Sequence, residues 1–201
     1  MKTKLIIIRI ILVCGFVFYL TGCKNKPTAS NIMPVNPDTS KVKVHHIKEN
    51  AFDGLRSMAF SVTHDQLELL LPPDKTVVYG VIMDWGMDGA IATIVSYQTG
   101  DASLYLSSGG AIIGGGQHEN VSNAAKQFVS LAQMFLYKAN KTQMTTLPIT
   151  NQVKFYLLTN NGIYVGQDVI KNFENHSSEW LQLFEEGNKV LTEIRLTTET
   201  K

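Results

Sequence analysis

Hydrophobic residues recur at steps of three and four over residues 47–62, which predicts an amphipathic helix with one buried face. Thr63 and Gln66 follow at the spacing of a capping box, and they predict a second, short helix. The helical period returns over residues 121–139, and again in one or two closing helices within residues 169–194. The predicted helices therefore lie before and after the middle of the chain, and one further helix, over residues 121–139, divides the middle into two parts.

Runs rich in β-branched residues predict five strands between these helices. The first three form a meander over residues 76–85, 90–98 and 102–107, joined by turns that contain glycine. The other two, residues 153–158 and 163–165, form a hairpin about Asn161-Gly162. Because both faces of the first run are apolar, we expect it to be a central strand covered on both sides.

The order of helix, short helix, three strands, helix, two strands and helix predicts an α+β fold. Its sheet is expected to be mostly antiparallel, to have about five strands, and to pack against the helices in one globular domain over residues 47–201. The order broadly resembles small profilin-like or roadblock-like scaffolds, which usually have two strands before the middle helix. A fold of this class does not by itself identify a function.

Composition narrows the class of protein. Of the 201 residues, 44% are hydrophobic and 17% are charged, so the chain can bury a core and global disorder is excluded. Removing Lys2, Lys4 and Arg9, which belong to an apolar N-terminal segment, from the 18 basic residues leaves 15 against 17 acidic ones. A near-neutral domain without a basic cluster is not expected to bind nucleic acid.

The N-terminal segment has the layout of a secretory signal peptide. Lys2 and Lys4 precede an apolar stretch over residues 5–20, which is short for a membrane-spanning helix. The stretch ends in Leu20-Thr21-Gly22-Cys23, which resembles the lipobox of bacterial lipoproteins. In that family the cysteine receives diacylglycerol and the chain is cleaved before it. The resemblance implies that residues 1–22 are removed and that Cys23 is lipidated; an uncleaved anchor or a core strand is the alternative.

The lipobox also predicts where the domain is located. Residues 23–46 contain Pro27, Pro34 and Pro37 and little apolar periodicity, so they are expected to form a flexible tether from the lipidated cysteine. Lys24, rather than aspartate, follows Cys23, which favours the outer membrane facing the periplasm over the inner membrane. The expected partners are the membrane, through the lipid on Cys23, and an envelope protein.

A glycine-rich segment over residues 109–116 precedes the long middle helix. Its last three glycines, Gly114, Gly115 and Gly116, together with His118 could present backbone N–H groups to an anion. The segment lacks the Gly-Lys-Ser/Thr ending of a phosphate loop. The alternative is a close crossing of strand and helix, for which only glycine leaves room. Ser108 and His118 could also serve a small hydrolase, although no partner acid is identifiable.

The predicted first hairpin turn carries two carboxylates, Asp84 and Asp88, on either side of Trp85. The spacing matches only part of a calcium loop, so no metal site is expected there. We interpret Trp85 as an exposed turn residue that contacts a partner, the alternative being that it folds back on the sheet.

Each catalytic motif considered lacks a required member, so we expect a binding or accessory module rather than an enzyme, with no cofactor. An inhibitor of the immunity type is one specific version. The expected contact surfaces are residues 84–89 and 109–118. The alternatives are the hydrolase that uses Ser108 and His118, and a small-anion site in the glycine segment.

Overall fold

The computed structural model describes residues 51–199, with the side chain of Glu199 excepted. The predicted signal peptide, Cys23 and the tether lie outside this range. The chain divides into two units, Met1–Lys48 and Glu49–Lys201, and every described residue belongs to the second. In chain order the elements are α1 (Ala51–Ser61), β1 (Val78–Met87), β2 (Ala90–Tyr97), β3 (Ala102–Leu106), β4 (Ala111–Ile112), a 3₁₀ turn (Gly115–Gln117), α2 (Glu119–Ala132), a 3₁₀ helix (Gln133–Lys138), β5 (Asn140–Thr142), β6 (Gln152–Thr159), β7 (Gly162–Val169), α3 (Ile170–Glu174) and α4 (Leu181–Glu199).

The strands form one antiparallel sheet in the order β4-β3-β2-β1-β6-β7-β5. This confirms the predicted α+β class, with seven strands instead of about five. The two additional strands are the edge strands: β4 has two residues, and β5 has the polar sequence Asn-Lys-Thr, so neither has an alternating apolar pattern. β1 lies at the centre and nine of its ten residues are buried, as expected for a strand covered on both faces.

A bulge in β1 changes which side chains share a face. The register against β6 shifts between Val78 and Gly80, because one extra residue is inserted there. Tyr79 therefore lies in the same apolar cluster as Ile82, whereas strict alternation predicts that it shares a face with Val81. The bulge places the Tyr79 ring beneath the end of α1.

α1 covers one face of the sheet and two tyrosines hold its C-terminal end. The hydroxyl of Tyr97 donates to the carbonyl of Ala59 at 2.8 Å, and that of Tyr79 donates to the carbonyl of Val62 at 2.9 Å. These bonds satisfy carbonyls that the helix itself leaves unpaired. The tyrosines of the sheet thus fix where α1 ends.

The predicted second helix is a hydrogen-bonded turn. Its capping box forms as expected: the N–H of Thr63 donates to the Gln66 side chain at 2.9 Å, and the N–H of Gln66 donates to the Thr63 hydroxyl at 3.3 Å. Glu68 then adopts a φ of 55°, in the left-handed region, and this ends the helical turn.

α2 and α4 cover the opposite face. Met83 and Phe128 both meet α4 at Gly187, and Trp85 packs edge-on against Phe184 with ring centroids 5.4 Å apart. The predicted helix over residues 121–139 changes to a 3₁₀ helix after Ala132. Within residues 51–199 no helix combines the length and the apolar composition needed to cross a bilayer.

Candidate binding surface

Asp84 lies inside β1, not in a turn, and its carboxylate is fully buried. Arg56 of α1 reaches it from above the sheet, with Nη2 2.5 Å from Oδ2 and Nε 3.1 Å from the same oxygen. The hydroxyl of Thr93 on β2 donates to Oδ1 at 2.5 Å. The charge of this carboxylate is thus compensated within the protein. The prediction that Asp84 lies on an exposed contact surface is therefore wrong.

Trp85 is also buried, with 3% of its surface exposed, and it folds back on the face covered by α4. The exposed interpretation is therefore wrong. β1 continues to Met87, two residues beyond the predicted end, so the turn shortens to Asp88-Gly89. Both turn residues are exposed, and Gly89 takes the positive φ of 74° that this turn requires.

The glycine segment makes a close backbone crossing. A Cβ on Gly116 would lie 2.5 Å from the carbonyl oxygen of Gly100 and 2.8 Å from the Cα of Asp101. Gly115 is buried, and a Cβ on it would lie 3.2 Å from the carbonyl oxygen of Ala102; Gly114 has a φ of 74°. Gly115 and Gly116 thus meet packing requirements, which is the alternative that the sequence left open, whereas a Cβ on Gly114 would meet nothing within 4 Å.

Ser108 and His118 lie near opposite ends of β3. Ser108 lies two residues after the end of the strand, next to Ser107, whose hydroxyl accepts the N–H of Ile91 at 2.7 Å. His118 follows Gly116, which crosses the chain just before the strand begins. A five-residue strand spans about 16 Å. The fold therefore does not bring this serine and histidine together.

A segment that the sequence analysis did not single out has the geometry of a binding loop. Residues 143–150, here called the strap, connect β5 to β6 without regular secondary structure. Nη1 of Arg56 donates to the carbonyl of Thr145 at 2.8 Å, and the Tyr156 hydroxyl donates to the carbonyl of Thr146 at 2.5 Å. Nζ of Lys154 donates to the Thr146 hydroxyl at 2.8 Å. The middle of the strap is held by α1 and β6 together.

The end of the strap is fixed by β1. A Cβ on Gly86 would lie 2.2 Å from the carbonyl oxygen of Ile149, so glycine is required for this approach. The N–H of Asn151 donates to the carbonyl of Gly86 at 2.8 Å, and Pro148 is buried. These contacts fix the backbone on three elements of the fold.

Large apolar side chains of the strap nevertheless face solvent. Met144 and Ile149 are each 71% exposed and Leu147 is 38% exposed. A mobile loop could turn such groups inward, but the pinned backbone keeps them at the surface. Exposed apolar groups on a fixed loop are typical of a contact surface. The only sequence signal for this surface is a set of apolar residues around Pro148. They have neither the helical nor the strand period, so periodicity does not identify them.

A second surface feature is an open groove of about 400 Å³ between the 3₁₀ helix and the start of α4. Exposed Met134 and Tyr137 line it, and Nζ of Lys138 lies 5.6 Å from the Tyr137 ring centroid. Glu179 and Glu185 on the other side are also exposed. The groove is shallow and solvated, unlike the enclosed pockets that hold small ligands.

Among residues 51–199 no group of three or more His, Cys, Asp or Glu side chains could hold a metal ion. Comparison with protein-family models, with curated proteins and with solved structures finds no significant match to this chain. The likeness to profilin-like and roadblock-like scaffolds stays a prediction from element order.

Proposed function

We propose that the chain is an exported bacterial lipoprotein, acylated at Cys23, whose folded domain binds a partner in the cell envelope and catalyses no reaction. The observation that carries this proposal is the Leu20-Thr21-Gly22-Cys23 sequence at the end of a short apolar segment with a basic start. Residues 24–50 then separate the acylated cysteine from α1. We place the protein on the outer membrane facing the periplasm, with the inner membrane as the second choice.

Binding is favoured over catalysis by the geometry of the polar groups. The charge of Asp84 is compensated by Arg56 inside the core, its Oδ1 accepts from the Thr93 hydroxyl, and Ser108 and His118 lie apart. The strap, by contrast, offers fixed apolar side chains to solvent. An envelope component, whether protein or lipid, can cover these side chains without reorganising the domain, which lowers the entropic cost of association.

Lipidation is tested by expressing the full chain in bacteria supplied with radiolabelled palmitate, beside a Cys23→Ala variant. We expect label and membrane association in the original chain, and neither in the variant. A Cys14→Ala variant is the matched control, because Cys14 lies in the removed segment and should not change the labelling. Equal labelling of the chain and its Cys23→Ala variant would contradict the proposal.

The absence of catalysis is tested separately. Purified lipidated protein is incubated with fluorogenic esters and peptides, beside a His118→Ala variant. We expect no turnover above that of the heat-denatured protein. Turnover that the His118→Ala change removes, with the melting temperature unaltered, would support the hydrolase instead.

A further inference from the structure

We propose that the strap is a lipid-contact site: Met144, Leu147 and Ile149 enter the headgroup and acyl boundary of the membrane that carries the lipidated Cys23. This inference rests on the proposed lipid anchor and extends it. It assigns a face of the domain to the bilayer, where the anchor alone would only keep the domain nearby.

The chemistry of the strap suits a lipid surface. Its sequence, Gln-Met-Thr-Thr-Leu-Pro-Ile-Thr, contains no charged residue. The ammonium of Lys154, which is bonded to Thr146, can stay among the headgroups when the strap inserts. The threonine hydroxyls can remain among the headgroups while the aliphatic side chains go deeper. The carbonyls of Thr145 and Thr146 are already bonded to Arg56 and Tyr156, so these two groups lose no water on entry.

A protein partner is less well matched to the same residues. Side chains that dominate protein interfaces are mostly tryptophan, tyrosine and arginine, and the strap contains none of these. Three aliphatic groups without aromatic anchors bury too little area for a specific protein complex. A bilayer needs only apolar side chains that can enter it.

The strap is also close to Ala51, the first residue that the structure describes. Arg56, which donates to the carbonyl of Thr145, lies five residues after Ala51, or about 7.5 Å along the helix axis. The 27 residues of sequence from Lys24 to Asn50 would span a root-mean-square distance of about 30 Å as a random coil. The anchor therefore holds the strap at a high effective concentration near lipid, so that a weak intrinsic affinity is enough for occupancy.

The test places an environment-sensitive fluorophore on the full lipidated protein in vesicles of phosphatidylethanolamine and phosphatidylglycerol. Ile149→Cys supplies the strap position and Met144→Cys a second one, since both side chains are exposed and their loss should not impair folding. The matched control is Glu185→Cys, an exposed position on α4 that covers the other face of the sheet. Cys23 itself is blocked by its lipid.

We expect the two strap labels to shift their emission to the blue, and nitroxide lipids to quench them about threefold more than the label at residue 185. Strap labels that report water while the protein remains on the vesicles would overturn the lipid contact and leave the anchor intact. A shift that appears only after envelope proteins are added would also overturn it, in favour of a protein partner. Protein that is acylated at no cysteine and does not bind vesicles would instead refute the proposed anchor.

Discussion

Arg56 on α1 and Asp84 on β1 form an ion pair in which both side chains are buried, with Nη2 2.5 Å from Oδ2. The same guanidinium donates from Nη1 to the carbonyl of Thr145. One side chain thus neutralises the only charge in the middle of β1 and fixes the strap. The pair explains why a carboxylate is tolerated at the centre of the sheet, and it connects the core to the surface that we assign to lipid.

Removing one member of the pair should leave an uncompensated buried charge. We expect Arg56→Met to lower the free energy of unfolding by about 3–5 kcal/mol, and Asp84→Leu by a similar amount. The double variant Arg56→Met with Asp84→Leu should lose less than either single one, because no buried charge remains. Urea denaturation measures all three. Strictly additive losses would show that the two side chains do not interact.

Arg56→Lys should separate the two roles of the guanidinium. Lysine keeps the positive charge but lacks the planar fork that binds Asp84 and Thr145 at once. We expect faster hydrogen exchange over residues 143–150, with the amides of α2 unchanged. Tyr156→Phe, which removes the bond to Thr146, should act in the same direction. Unchanged exchange in both variants would mean that other contacts hold the strap.

Tyr97→Phe should loosen the end of α1. Its hydroxyl bonds the carbonyl of Ala59 in a buried position, and a bond of this kind contributes about 1 kcal/mol to stability. Tyr137→Phe is the control, since the Tyr137 side chain is exposed and the change should stay within about 0.5 kcal/mol. Thermal unfolding of both variants decides the matter; equal melting temperatures would exclude a role for the hydroxyl.

The same tyrosine predicts a pH dependence. Burial, and then the neighbouring Tyr105, Tyr79 and Asp101, raise the pKa of Tyr97 above its ordinary value of 10.0. The unfolded chain therefore loses this proton first, so the contribution of Tyr97 to stability is complete below pH 10 and declines as the pH rises further. The unfolding free energy of Tyr97→Phe should fall less steeply above pH 10. Parallel curves would contradict the assignment.

Two glycines should respond in opposite ways to alanine. Gly116→Ala places a Cβ against the backbone of Gly100 and Asp101 and should destabilise the domain by about 1–3 kcal/mol. Gly54→Ala, in α1, meets nothing within 4 Å and should stabilise it by about 0.5–1 kcal/mol. Differential scanning calorimetry compares them. A stabilising Gly116→Ala would argue that the glycine segment is free to serve a ligand.

Trp85→Ala should lower the stability of the folded domain, whether or not a partner is present. The ring is buried against Phe184, and its truncation should cost about 3–5 kcal/mol. Trp85→Phe, which keeps an aromatic ring, should cost less. Tryptophan emission of a Trp180→Phe variant, in which Trp85 is the one remaining tryptophan, should be blue-shifted and poorly quenched by acrylamide. Strong quenching would restore the exposed interpretation of Trp85.

Helices and strands with a regular pattern of hydrophobic residues could be predicted from the sequence. Elements that form only through tertiary contacts could not. β1 was recognised as central because both of its faces are apolar, and α2 because of its apolar stripe. The edge strands β4 and β5 have no pattern of their own and exist because a neighbour offers free backbone groups. The glycines and aspartates after Met83 predicted that Asp84 and Trp85 lie at a hairpin turn. The strand continues to Met87 because it pairs with β2, and this pairing cannot be read from the local sequence.

The strap escaped prediction for a related reason. Its exposed side chains are ordinary in sequence, and what makes them notable is a backbone held by Arg56, Tyr156 and Gly86, which are far away in the chain. From the sequence, Arg56 is expected to be a surface residue of an amphipathic helix. In the structure it is buried against Asp84. Long-range pairing of this kind is absent from local periodicity.

The pairing of β1 with β6 has a consequence for the proposed export. Its partners, from Trp85 with Val153 to Val78 with Thr159, lie about 70 to 80 residues apart in the chain. Contacts of such long range form late and slowly during folding. The sheet cannot close around its centre until β6 has emerged, so under the proposed export most of the polypeptide would still be unfolded as it crosses the membrane. A sheet that is completed late in folding is compatible with the proposed export, in which the chain crosses the membrane before it folds.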